Sequence, residues 1–312
     1  MAGSSKKVIL AALIGNALVA TTKFIAAAIT GSSAMMSEGI HSVVDTGNQV
    51  LLLYGLKRAQ KPADENFPFG YGKEIYFWSF VVAILIFALG GGISIYEGIE
   101  RLLNPQPVEK SIVSYIVLFF AMVFEGIALY FALTVFLRTK GKWGYIEAVQ
   151  RGKDPSMFVV LFEDSAAMLG LGIAFFGVLL ADLTGNSFYD GLASVLIGLL
   201  LAGTAAWLAY ETKGLLIGES AQTPVIRELR QLVAETDGVE HVNEVLTMHM
   251  GPDFILVNLS VDFKDSLTAE NLEQLIAGLS RQIKQEQPLV KRVFIEAESR
   301  SVVPLEESAK AE

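Results

Sequence analysis

The sequence predicts a membrane all-α bundle of six transmembrane helices, followed by a small cytoplasmic α+β domain of order α-β-β-α-β. Three observations lead there. The 312 residues are 52% hydrophobic with a mean hydropathy of +0.47, against about 45–50% apolar residues in soluble domains. The apolar excess is concentrated before residue 214, in stretches long enough to cross a bilayer. The connecting segments alternate between rich and poor in Lys and Arg. The domain reading is therefore a six-span part over residues 1–213, a cytoplasmic α+β part over 214–303, and a disordered, charged tail over 304–312.

A bilayer core needs roughly 20 mainly apolar helical residues. Six segments qualify: about Val8–Thr30, Met35–Leu56, Ile75–Ile99, Ile112–Leu137, Met157–Leu180 and Phe188–Tyr210. Inside hydrocarbon the backbone must satisfy its own hydrogen bonds, so these are helices and not open strands. The first and second carry polar residues on one side, as helices facing a bundle do. The apolar run after Lys6 and Lys7 lacks an A-x-A cleavage site, so it reads as the first span and not as a signal peptide. Lys57, Arg58, Lys61 and Lys73 mark the second loop, and Arg138, Lys140, Lys142, Arg151 and Lys153 the fourth. The first and fifth loops carry no Lys or Arg, and the third carries Arg101 and Lys110. The positive-inside rule then puts both termini in the cytoplasm, with a bacterial inner membrane as the expected location. Trp78, Trp143 and Trp207 fall near span ends, where interfacial aromatics belong.

Beyond Pro224 the pattern is that of a soluble domain. Ile226, Leu229 and Leu232–Val233 share a helical face within Val225–Glu235. Val242–Met250 reads as a strand and Gly251–Pro252–Asp253 as a turn. Ile255, Val257, Leu259, Val261 and Phe263 alternate with Leu256, Asn258, Ser260 and Asp262, the period of a half-buried strand. Thr268 opens a helix running to about Gln285, and Val290–Ala297 is a third strand. Helices packed on one face of a sheet follow from that order.

Composition narrows the chemistry. The net charge of −9 argues against nucleic acid as a partner. With no cysteine, disulfides and thiolate metal sites are excluded, so any metal site uses imidazole and oxygen ligands. Ionisable groups inside membrane helices cost about 2.5–3.5 kcal/mol each on insertion scales and call for a reason. The second span carries His41 and Asp45, four apart on one helical face, with Asn48 continuing it; imidazole and carboxylate at that spacing can grip one Zn2+-sized ion. The fifth span carries the adjacent pair Glu163 and Asp164. Taken singly, each could be interhelical hydrogen-bonding glue. Three carboxylates and a histidine together favour a cation site. Glu125, in the middle of the fourth span, is either a proton acceptor or metal contact or the partner of Lys23 on the first. Gly90–Gly91–Gly92 allows a bend or a close helix approach, not phosphate binding, because no strand precedes it. No nucleophile–base pair or cofactor fingerprint points to an enzyme. A proton-coupled carrier of a small organic substrate would call for inverted repeats, and none is visible; a membrane-anchored sensor or scaffold is the remaining alternative.

The stretch GSSAMMSEGIHSVVD, from Gly31 to Asp45, resembles the second-helix signature of the cation diffusion facilitator family. PADENFPFGYGKE, from Pro62 to Glu74, resembles the loop that follows it, and DGLAS, from Asp190 to Ser194, the start of the sixth helix. FEDSAAMLG, from Phe162 to Gly170, resembles the zinc-transporter-like branch. The likeness covers about Lys7–Glu298. It implies a homodimer in the lipid bilayer that exports Zn2+, or Mn2+, Fe2+ or Co2+, in exchange for protons. It also implies a tetrahedral site with two ligands from helix two and two from helix five. His41, Asp45 and Asp164 match three of these; the fourth position is Val160, which cannot bind metal, so Glu163 or water supplies the missing contact. Two further family sites look degraded. In the loop Asp64 remains while the histidine positions are Phe67 and Tyr71, and in the tail the matching positions are Asn243, Glu296 and Glu298. His241 and His249 read as ordinary strand or surface histidines.

Overall fold

The computed structural model describes residues 2–105, 111–140, 143–153 and 155–300; the expected disordered tail at 304–312 lies outside the described residues. The chain forms two compact units, Met1–Leu216 and Ile217–Glu312.

The first unit is helical: α1 (Ala2–Thr30), α2 (Ser33–Ala59), α3 (Glu74–Leu85), a π-helical segment (Ile86–Gly92), α4 (Ile93–Leu103), α5 (Ser111–Lys140), α6 (Tyr145–Arg151), α7 (Pro155–Thr184) and α8 (Phe188–Ile217). Four helices among the described residues are long and apolar enough to cross a membrane: Glu74–Leu103, Ile112–Arg138, Phe158–Thr184 and Phe188–Ile217. The helix α2 falls short on composition, not length. Its buried residues include Ser33, Ser37, Glu38, His41, Ser42, Asp45, Asn48 and Gln49, while Val43, Val50 and Tyr54 face outward. Its polar residues thus face the other helices, while Val43, Val50 and Tyr54 face away from them.

The third helical stretch is longer than the expected Ile75–Ile99, and its π-helical segment contains the three consecutive glycines. Such single-turn π insertions are rare and cluster at functional places. The glycines there and beyond are needed for contact. A Cβ on Gly98 would lie 2.6 Å from the Val195 backbone N of α8, and one on Gly198 would lie 2.7 Å from the Ile95 backbone N. The two helices thus meet backbone to backbone, as small residues permit.

The helix α2 packs against α1, α3, the π-helical segment, α4 and α7, while α5 packs against α1 and α7. Its N-terminus is held by a buried carboxylate. Asp190 of α8 accepts from Ser32 Oγ (2.6 Å), Ser33 N (2.8 Å) and Ser33 Oγ (2.9 Å), and Arg101 Nε of α4 lies 3.9 Å away. A carboxylate at a helix N-terminus is stabilised by the unpaired amides and the macrodipole.

The second unit has α9 (Thr223–Ala234), β1 (Val239–Gly251), β2 (Phe254–Phe263), α10 (Ala269–Glu286) and β3 (Val290–Ala297), the α-β-β-α-β order. The sheet order is β1-β2-β3, with β1–β2 antiparallel and β2–β3 parallel. Ile255, Val257, Leu259 and Val261 of β2 are buried with Leu229 and Val233 of α9 and Leu279 and Ile283 of α10. Thr268 caps α10, its side chain accepting from Asn271 N.

Candidate functional site

The polar face of α2 begins one turn inside the helix. Glu38, His41 and Asp45 are spaced three and four apart, so they line one stripe, and all are buried. His41 Nδ1 lies 3.3 Å from Asp45 Oδ1. One turn further on, Asn48 Nδ2 donates to Glu163 Oε1 of α7 at 2.7 Å. The Asp45 and Glu163 carboxyls lie close enough for their charges to interact. Both ring nitrogens of His41, Asp45 Oδ1 and Asn48 Oδ1 are buried with no hydrogen-bond partner. Buried polar atoms are almost always satisfied, so four such atoms on one stripe make this the candidate site.

The structure therefore brings His41, Asp45, Asn48 and Glu163 together. Asp164 is buried on the same helix as Glu163 and close enough for their charges to interact. Adjacent helical residues point about 100° apart. Val160, one turn before Asp164, is half-buried. Among the described residues no three imidazole or carboxylate side chains are close enough to hold one ion in common. In this conformation Glu163 is engaged by Asn48, which ties α7 to the polar face of α2.

The alternative of a Lys23–Glu125 pair is corrected by the structure. Lys23 Nζ of α1 donates to Glu38 Oε2 at 3.1 Å and to Ser42 Oγ at 2.8 Å, and both charged side chains are fully buried. Glu125 of α5 is also buried and lies within electrostatic reach of Lys23, Glu38, Asp45, Glu163 and Asp164. Glu38 is the group that sequence reasoning missed. The signal was present: it sits three residues before His41 and seven before Asp45, on the same stripe.

The loop after α2 uses its acid differently. Asp64 accepts from Tyr71 OH (2.6 Å), Lys61 Nζ (2.9 Å), Phe67 N (2.9 Å) and Asn66 N (3.1 Å). The Tyr71 hydroxyl and the Lys61 ammonium hold its carboxyl far below the usual carboxylate range. With its oxygens occupied by protein donors, Asp64 closes a loop and is not free to bind an ion. In the second unit Asn243 Nδ2 donates to Ser260 Oγ (3.1 Å) and to the Glu298 carbonyl (3.0 Å), and Ser260 Oγ donates to Glu298 Oε2 (2.6 Å). Glu296 stands opposite Ser260 in the strand register. His249 is buried, its Nδ1 3.4 Å from the Gly251 carbonyl, and His241 is exposed on β1.

An apolar helical bundle with a buried stripe of imidazole and carboxylates defines an integral, multi-pass membrane protein built around a polar interior. The family model described as the cation efflux transmembrane domain matches residues 9–217. The chain belongs to that family, the cation diffusion facilitators, in the zinc-transporter-like branch. It is 36% identical over 290 residues to a mitochondrial protein of Xenopus laevis named proton-coupled zinc antiporter SLC30A9, covering 91% of this chain and 52% of that one. It is 29% identical over 269 residues to metal tolerance protein C4 of Arabidopsis thaliana, 86% of this chain and 59% of that one. With the manganese efflux system protein MneP of Bacillus subtilis it shares 24% identity over 298 residues, 93% and 95% of the two chains. The chain thus spans about half the length of the Xenopus relative and nearly all of the Bacillus one.

Proposed function

We propose that this protein is a secondary active transporter, not an enzyme, that exports a divalent cation, Zn2+ first, from the cytoplasm in exchange for protons. Six spans would carry it: the four strongly apolar helices together with α1 and the polar-faced α2. The division at 213/214 leaves the α+β domain on the cytoplasmic side, and the Lys/Arg-rich second and fourth loops support both termini there, as in a bacterial inner membrane. Assembly as a homodimer completes the reading.

One observation supports the proposal: inside the bundle Asp45 of α2 lies 3.3 Å from His41 and within charge reach of Glu163 of α7, with both His41 nitrogens lacking a hydrogen bond. The residues fit a cation as substrate. His41 and Asp45 supply one nitrogen and one oxygen from α2; Glu163 and Asp164 supply oxygens from α7. A proton on either of two facing carboxyls relieves their repulsion. A divalent ion that enters between Asp45 and Glu163 displaces that proton, and metal binding to protonated ligands releases protons in general. Protons arriving from the other side reverse the exchange, and His41, whose ordinary pKa is about 6.5, is suited to take part.

Histidine with carboxylates suits Zn2+; the oxygen-rich set also admits Mn2+, Fe2+ and Co2+. The relatives named for zinc and for manganese support Zn2+ and Mn2+ within that range. The test is uptake of Zn2+ into proteoliposomes under an imposed pH gradient, with Mn2+ as competitor. Uptake that follows the gradient in the wild type and is lost in Asp45→Ala supports the reading. Uptake indifferent to the gradient, together with wild-type cation affinity in His41→Ala, defeats it.

A further inference from the structure

Lys23 stands out as a fully buried cation in a region otherwise supplied with acids. Its ammonium is fastened to Glu38 and Ser42, and Ser42 directly follows His41 on α2. From α2 it faces Glu38, His41 and Asp45; from α5 it faces Glu125. From α7 the nearest element is Gly170, where a Cβ would lie 2.5 Å from Glu38 Oε1, so the carboxylate is pressed against bare backbone. Ser42 stands three residues before Asp45 and Glu38 seven before it, so the ammonium held by Ser42 lies further along α2 toward Asp45 than the Glu38 carboxylate does.

A buried ion pair is weak support for stability, because desolvation of two charges offsets their attraction; apolar residues of similar volume often serve as well. Its placement therefore calls for another account. We propose that Lys23 is a tethered counter-cation of the transport site: its fixed charge opposes the incoming divalent ion and so limits cation affinity, which lets arriving protons release the ion. Glu38 and Ser42 hold the ammonium at that distance, and Glu38 partly offsets its field. Lys23 touches no transported ion and acts through the potential at Asp45 and His41. The inference rests on the transport reading above and adds a residue to it that governs release.

Opposite signs in two single variants separate this role from a purely structural one. In the full-length protein in detergent, titrated with Zn2+ alone by calorimetry, Lys23→Met should tighten binding by at least about tenfold, since a unit charge a few residues from a divalent ion in a low-dielectric interior is strongly felt. Glu38→Gln, which leaves the ammonium unopposed, should weaken it by a similar factor. The double variant Lys23→Met/Glu38→Gln removes both charges without leaving either unpaired. It should fold, as thermal unfolding will report, and bind Zn2+ more tightly than the wild type. If Lys23→Met fails to fold, the double variant alone decides. Equal affinity in the double variant and the wild type, or weakening in both single variants, overturns the role of Lys23. A wild-type protein that binds no Zn2+ overturns the transport reading itself, and the two failures are distinct.

Discussion

Replacing Asp190 with Asn tests how α2 is held. The buried carboxylate accepts from Ser32 Oγ, Ser33 N and Ser33 Oγ at 2.6, 2.8 and 2.9 Å. Hydrogen bonds to a charged group contribute about 1.5–3 kcal/mol each, and a buried donor left unmatched costs about 1–3 kcal/mol. Asn keeps one oxygen, which can retain the Ser32 bond. Its NH2 then points at the Ser33 amide, N–H against N–H, while the Ser33 hydroxyl can turn to accept. The loss is thus one backbone bond made unmatched, together with the charge component of the other two and of the Arg101 contact at 3.9 Å. About 3 kcal/mol is a fair sum. For a unit of this size it corresponds to roughly 6–12 °C of thermal midpoint. Thermal unfolding of Asp190→Asn in detergent measures it, with Ser33→Ala as a milder control that retains the backbone bond. A midpoint within about 2 °C of wild type would mean that the α2 N-terminus is secured elsewhere, and the anchoring argument would be wrong.

Other outcomes follow from the same geometry. Asp45→Ala should weaken Zn2+ binding by on the order of 100-fold in calorimetry, because it removes the α2 carboxylate that faces His41 and Glu163. Val160→His adds an imidazole one turn before Asp164, and Zn2+ should then bind on the order of tenfold tighter relative to Mn2+, as competition titration will show. In the loop, the depressed Asp64 carboxyl contributes fully above the ordinary carboxylate pKa of about 3.9, and the contribution disappears only as pH falls through its lower folded value. Hydrogen exchange at the Asn66 and Phe67 amides, corrected for intrinsic rates, should therefore show equal protection at about pH 5 and pH 7, and Tyr71→Phe should reduce it at both.

Different parts of the molecule were legible to different degrees. The β2 strand reads directly, because Ile255, Val257, Leu259 and Val261 alternate and the structure buries that set. The His41–Asp45 stripe reads directly too, since spacing within one helix determines the face. Pairings between helices do not follow from spacing. Lys23 could equally have met Glu125 of α5; it meets Glu38 because α1 and α2 form a tight antiparallel pair. The three glycines at 90–92 announced a bend or close approach, but not that the helix would accommodate them by a π turn, which depends on how α8 docks. Composition alone also misjudges α2. A hydropathy window averages its outward Val43 and Val50 with its inward Glu38 and Asp45 and finds neither surface.

The short connection between α1 and α2, only Gly31 and Ser32 with Gly31 at φ 65°, has a bearing on folding. Neither helix suits apolar surroundings alone, since one brings the Lys23 ammonium and the other the Glu38 and Asp45 carboxyls. Folded back on each other across two residues, they present Lys23 and Glu38 as a matched pair with no net charge. Whatever apolar surroundings the two helices meet, they meet them as a hairpin with that pair already matched, and lengthening its tip would delay the meeting.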